Sequence, residues 1–91
     1  MYRITLACDG IPLDLGAAAA ADIAEEFTHR PWHRDVTCEW DGTRLILRGD
    51  NDHDATGAAF AEEFSDAISA CVAGGSDGAI SLLSVETLGV D

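Results

Sequence analysis

The sequence contains no lysine, and its five arginines stand against 17 acidic residues, a formal charge of −12. Such a field repels a phosphate backbone and an anionic membrane surface alike, which argues against nucleic-acid and membrane partners. No apolar run approaches the ~20 residues of a membrane span. The start, MYRITLACDG, lacks the charged head and long apolar stretch of a secretory signal, since Asp9 interrupts it. A cytoplasmic location is the expectation. Cysteine is scarce and odd in number: Cys8, Cys38 and Cys71 have no metal-type spacing and sit in apolar patterns, so they read as reduced core residues. No Ser-His-Asp, Cys-His or phosphate-loop pattern occurs either. Gly74-Gly75-Ser76-Asp77-Gly78 follows a helix instead of preceding one, the wrong end for an anion cradle. No catalytic residue and no cofactor is assigned; an enzyme would need a cleft with a perturbed histidine or carboxylate.

What is present is patterned. With 91 residues there is room for a single domain, 1–91, around one modest core. Asp35 to Asp50, DVTCEWDGTRLILRGD, reads as a β-hairpin about Asp41-Gly42, a pair suited to the positive φ angles of a two-residue primed turn. That turn sets Trp40 opposite Thr43, Glu39 opposite Arg44, Cys38 opposite Leu45 and Asp35 opposite Arg48. Val36, Cys38, Trp40, Leu45 and Leu47 then share the inner face. Tyr2 to Cys8 alternates as a first strand with Ile4 and Leu6 inward. Asp14 is placed to cap a helix that begins near Leu15, buries Ala20, Ile23, Ala24 and Phe27, and is stopped by Pro31. A second helix, capped by Asp54 or Thr56, buries Phe60, Phe64, Ala67, Ile68 and Cys71 and closes at Gly74-Gly75. Asp77-Gly78 turns into a last strand, Ala79 to Leu88, where Leu82-Leu83 breaks the alternation and signals a bulge or burial on both faces.

The order β-α-β-β-α-β folds as two right-handed split βαβ units. This is an α+β, ferredoxin-like plan: a four-stranded antiparallel sheet in spatial order 4-1-3-2, with both helices on one face. Ala24-Glu25-Glu26-Phe27-Thr28 recurs 37 residues on as Ala61-Glu62-Glu63-Phe64-Ser65, a trace of duplication. The plan leaves the second face of the sheet bare, and there the first and third strands present Arg3, Thr5 and Ala7 beside Arg44, Ile46 and Arg48. Guanidinium groups suit carboxylates and phosphates. The face is therefore expected to take a protein partner, a second copy to form a homodimer, or a small anionic ligand, with Arg3, Arg44, Ile46 and Arg48 in contact.

Asp50-Asn51-Asp52-His53-Asp54 resembles the start of an EF-hand calcium loop, which would make Asp50, Asp52 and Asp54 ligands of a hard cation. The sixth position is Ala55 instead of glycine and the twelfth is Ala61, while capping and the helix dipole also favour acids there, so no metal is assigned. His29, His33, Cys38 and His53 lack zinc-type spacing because Pro31 breaks the repeat between the first two; histidines beside a helix end are expected at the surface or stabilised by the helix dipole. Glu25-Glu26 and Glu62-Glu63 read as solvated helix faces. The third strand, TRLILRG, lacks the aromatics of RNA-recognition domains. The loop after the first strand, ACDGIP, lacks the Cys-x-x-Cys of heavy-metal-binding domains and the glycine and arginine loop of acylphosphatases. Asp9-Gly10-Ile11-Pro12-Leu13, running into a helix, is similar to the Asp-x-Pro-Gly approach of ACT regulatory domains, with leucine in place of the glycine. That one-loop resemblance implies a small ligand, such as an amino acid, bound between paired domains. A non-enzymatic interaction or self-association module ranks first, ahead of a small-ligand or ion-sensing regulatory domain and of a small enzyme.

Overall fold

The alternating stretches pair into one sheet because each has an apolar side to bury, and the two helical stripes cover that side. The computed structural model describes residues 1–72 and 80–88. Its elements are β1 (Tyr2–Cys8), α1 (Gly16–Phe27), β2 (Arg34–Trp40), β3 (Leu45–Asn51), α2 (Ala58–Cys71) and β4 (Ile80–Thr87). The four strands lie in the order β2-β3-β1-β4, with every neighbouring pair antiparallel. This is the expected 4-1-3-2 order read from the other edge, and the layout is ferredoxin-like. Among the described residues, no helix is long and apolar enough to cross a membrane.

The core lies between sheet and helices. Ile4, Leu6 and Cys8 of β1 and Leu45 and Leu47 of β3 meet Ala19, Ala20, Ile23 and Phe27 of α1 and Phe60, Phe64, Ala67 and Ile68 of α2, none more than 5 % exposed. Full burial of each large side chain is worth ~1.5–3 kcal/mol, so this layer is the main favourable term. Phe27 and Phe60 lock the helices edge to face, with ring centroids 5.4 Å apart. The phenylalanines of the repeated pentapeptide, Phe27 and Phe64, are both core residues.

The hairpin departs from expectation. Its strands are joined by the four residues 41–44, with the Asp41 amide donating to the Arg44 carbonyl at 3.1 Å and Trp40 paired to Leu45. The cause is the Asp41 side chain: Oδ1 accepts the amides of Thr43 (2.9 Å) and Arg44 (2.7 Å) and the Thr43 hydroxyl (3.1 Å). These bonds hold the Asp41 carboxyl below its ordinary range, the Thr43 amide first. Gly42, at φ 100°, takes the left-handed position of the turn. The register is displaced by two residues, so Glu39 faces Ile46 and Thr37 faces Arg48, and neither expected acid–arginine pair forms.

Two irregularities shape the sheet. In β2 the register shifts between Arg34 and Thr37, where Asp35 adopts a left-handed φ of 51°. In β4 it shifts between Leu82 and Ser84, leaving Leu83 without a partner on β1, the bulge that the leucine doublet foreshadows. Asp14 makes no cap; α1 starts after Leu15, whose amide bonds the Pro12 carbonyl at 2.9 Å. The helix end at Gly74-Gly75 and the turn at Asp77-Gly78 lie outside the described residues.

Gly16 is where α1 meets β2. A Cβ there would stand 2.2 Å from the Trp40 ring. Gly16→Ala is therefore expected to cost ~1–3 kcal/mol through overpacking. Urea unfolding measures the loss, and a red shift of tryptophan emission would report the displaced Trp40 ring.

Candidate interaction surface on the sheet

The strand pairings arrange the outer face in three rows, each crossing β2, β3, β1 and β4. The first is Arg34, Asp50, Arg3 and Glu86; the second is Thr37, Arg48, Thr5 and Ser84; the third is Glu39, Ile46, Ala7 and Ser81. The first row alternates in charge. Arg3 donates Nε and Nη2 to the two oxygens of Asp50, each at 3.0 Å, and Asp50 is only 4 % exposed. This hydrogen-bonded carboxylate, helped by the fields of Asp50, Glu86 and Asp35, raises the Arg3 guanidinium further above its ordinary value.

Arg3, Ile46 and Arg48 come together on this face, whereas Arg44 sits in the hairpin loop with Nε 3.6 Å from Asp41 Oδ2. Arg3 is already satisfied within the chain. Arg48 is exposed between Thr37 and Thr5 and, among the described residues, has no ion pair; Glu39, opposite Ile46, has none either. Thr5 and Ala7 sit low between longer neighbours, at 9 % and 1 % exposure, and Ile46 is half-buried. The two helices pack on the opposite face, against Ile4, Leu6, Cys8, Leu45 and Leu47.

The acidic stretch at the end of β3 is used internally. Asp50 holds Arg3, and Asp54 accepts the amides of Ala59 (3.3 Å) and Phe60 (2.9 Å) at the start of α2. Asp52 is exposed beside His53, with Oδ1 to Nδ1 at 3.3 Å. The three carboxylates point to three separate partners, and among the described residues no group of three acid, histidine or cysteine side chains is disposed to hold a metal.

A polar cluster lies beside them. His33, expected at the surface, has a fully buried side chain, and Glu63, expected in solvent, bonds its Nε2 at 2.5 Å. Asn51 Oδ1 accepts the amides of His53 (3.2 Å) and Asp54 (2.8 Å), so its Nδ2 donates to His33 Nδ1 at 3.3 Å. The imidazole proton therefore resides on Nε2 and is donated to Glu63. Trp32 Nε1 donates to the other Glu63 oxygen at 3.1 Å, and Arg30 Nε lies 3.7 Å from it. The ring of His33 packs on Phe60 at 4.7 Å and Phe27 at 5.9 Å. With both nitrogens occupied, the histidine ties β2, β3 and α2 together. Position 63 lies three residues after buried Phe60, so it borders the core stripe, which is the signal that could have identified it.

No protein-family model matches the chain, and no curated protein matches it either.

The thiols are muted. Burial first, then the charge of Glu39, pushes Cys38 up to about 12; burial and the nearby acids raise Cys71 as well. Cys38 keeps its proton more tightly folded than unfolded, so its contribution to stability is intact below pH 9 and is lost as pH rises towards about 12. Chemical unfolding across that window is expected to show the decline, and Cys38→Ala to flatten it. Asn51→Ala strands two amides and the His33 nitrogen and is expected to cost ~2–4 kcal/mol in the same assay. Nitrogen-15 NMR of the native protein is expected to show His33 protonated at Nε2 alone.

Proposed function

We propose that this chain is a non-enzymatic association module of the cytoplasm that binds a protein, itself or another, through the outer face of its sheet. The observation that carries this reading is the contrast between that face and the rest of the molecule. Elsewhere the distinctive polar groups are engaged internally, His33 with Glu63 and Asn51 and Asp54 with the start of α2, and on the face itself Arg3 is engaged with Asp50. The second and third rows instead present half-buried Ile46 and the exposed hydroxyls of Thr37 and Ser81, flanked by exposed Arg48 and Glu39. Low, small side chains let another surface approach closely. The threonine and serine hydroxyls around Arg48 can help receive a partner's carboxylate. Three cysteine thiols suit a reducing compartment.

Ile46→Arg places a bulky charge at the centre of the proposed contact without entering the core. It is expected to weaken association at least tenfold, read by light scattering over a concentration series and by titration of any bound protein. Asp66→Ala, on the exposed side of α2, should change neither. If Ile46→Arg leaves the assembly state and every partner's affinity as in the wild type, the outer face is only solvated surface.

A further inference from the structure

Resting on that reading, we infer that the occupant of the outer face is a second copy of this chain, seated face to face about a two-fold axis so that Arg48 of each copy pairs with Glu39 of the other. The three rows hold Arg34, Arg3 and Arg48 against Asp50, Glu86 and Glu39, three charges of each sign, in a protein whose formal charge is −12. The outer face is thus a surface on which like copies meet without net repulsion. Within it, Arg3 and Asp50 are paired with each other, and in the second and third rows Arg48 and Glu39, on adjacent strands, are an exposed cation and an exposed anion without an ion pair among the described residues. An acidic partner would satisfy Arg48 but set its own charge against Glu39. A second copy satisfies both.

The geometry is self-complementary. Glu39 pairs with Ile46 and Thr37 with Arg48 on adjacent strands, so Glu39 and Arg48 are diagonal neighbours, ~7–8 Å apart by sheet geometry. A two-fold axis in the plane of the interface, passing between them, lays each Arg48 on the other copy's Glu39. Thr37 and Ile46, the other diagonal, then lie near the axis and meet their own counterparts, which buries the half-exposed isoleucine. The exposed acids of the helices, Asp22, Glu25, Glu62 and Asp66, end up on the outside of the pair. With sheets ~10 Å apart and a helix layer about as thick on each side, those layers stand ~30 Å from one another. That is several times the ~8 Å screening length at physiological ionic strength, so their repulsion is largely screened.

Four strands at ~4.8 Å spacing and seven residues at ~3.3 Å give a projected face of roughly 440 Å² per copy. This falls at the small end of specific interfaces, so the dimer is expected to be concentration-dependent, with a micromolar dissociation constant.

Sedimentation velocity on the full chain tests this with R48E and E39R, both at exposed positions. The wild type is expected to dimerise and each variant alone to weaken the dimer at least tenfold, because like charges then meet twice across the axis. An equimolar mixture of the two variants is expected to dimerise about as well as the wild type, since each then supplies the charge the other lacks. Circular dichroism of each variant confirms that a loss of dimer is not a loss of fold. A wild-type dimer that either variant leaves intact, or a mixture that stays monomeric, overturns the Arg48–Glu39 pairing. In both cases the Ile46→Arg result decides separately whether the face associates at all. A wild type that remains monomeric at high concentration overturns self-association, and the wider reading then stands or falls on the effect of Ile46→Arg on another protein's affinity.

Discussion

A single residue inserted into β2 decides which side chains of that strand enter the core. Asp35 takes a left-handed conformation, and between Arg34 and Thr37 the pairing with β3 slips by one residue. Downstream, Val36, Cys38 and Trp40 pack against the core. Upstream the parity is reversed: Arg34 aligns with outward Asp50, and His33 turns into the interior. A positive φ costs an aspartate ~1–2 kcal/mol. The hydrogen bonds of His33 to Glu63 and Asn51, and its packing on Phe60, are the interactions that offset it. The same inserted residue brings the Asp35 charge to bear on Arg3, where it favours the charged guanidinium. One backbone irregularity thus feeds both the buried polar cluster and the charged row of the outer face.

The two slips in the hairpin have opposite consequences, and parity is the reason. At the tip, Asp41 captures two amides with its side chain and lengthens the connection, which moves the register by two residues. An even shift changes partners but returns every side chain to the same face. Cys38, Trp40, Leu45 and Leu47 therefore remain inward although none has its expected neighbour. At Asp35 the shift is by one, and everything before it changes sides.

This explains what was legible in the residues. The alternation of Tyr2 to Cys8, the stripe of Phe60, Phe64, Ala67 and Ile68, and the element order all appear as read, because periodicity reports which side of an element is apolar. Turn length and inserted residues leave no periodic trace. A side chain that competes for backbone amides, as Asp41 does, looks in sequence like any polar turn residue. His33 was expected at the surface as a histidine beside a helix end, and the one-residue slip at Asp35, which no periodicity reports, is what turns it inward. On the outer face, Arg3, Ile46 and Arg48 were correctly grouped because the even shift spared them, whereas Arg44 was lost to the turn that caused it.

The arginines carry the last step. With five cations among 17 acids, the simplest expectation is that every guanidinium has a carboxylate close by. Arg3 has Asp50 at 3.0 Å, Arg44 has Asp41 at 3.6 Å, Arg30 has Glu63 at 3.7 Å, and Arg34 is aligned with Asp50. Arg34 and Arg48 have no ion pair among the described residues, and Arg48 lacks one where threonines flank it on both neighbouring strands. In so acidic a chain, an unpaired arginine is more informative than an unpaired acid, since chance alone would supply it with a partner. Glu39, likewise without an ion pair among the described residues, lies on the same face one strand and one row away; the two do not pair within the chain and are suitably placed to pair across a two-fold axis.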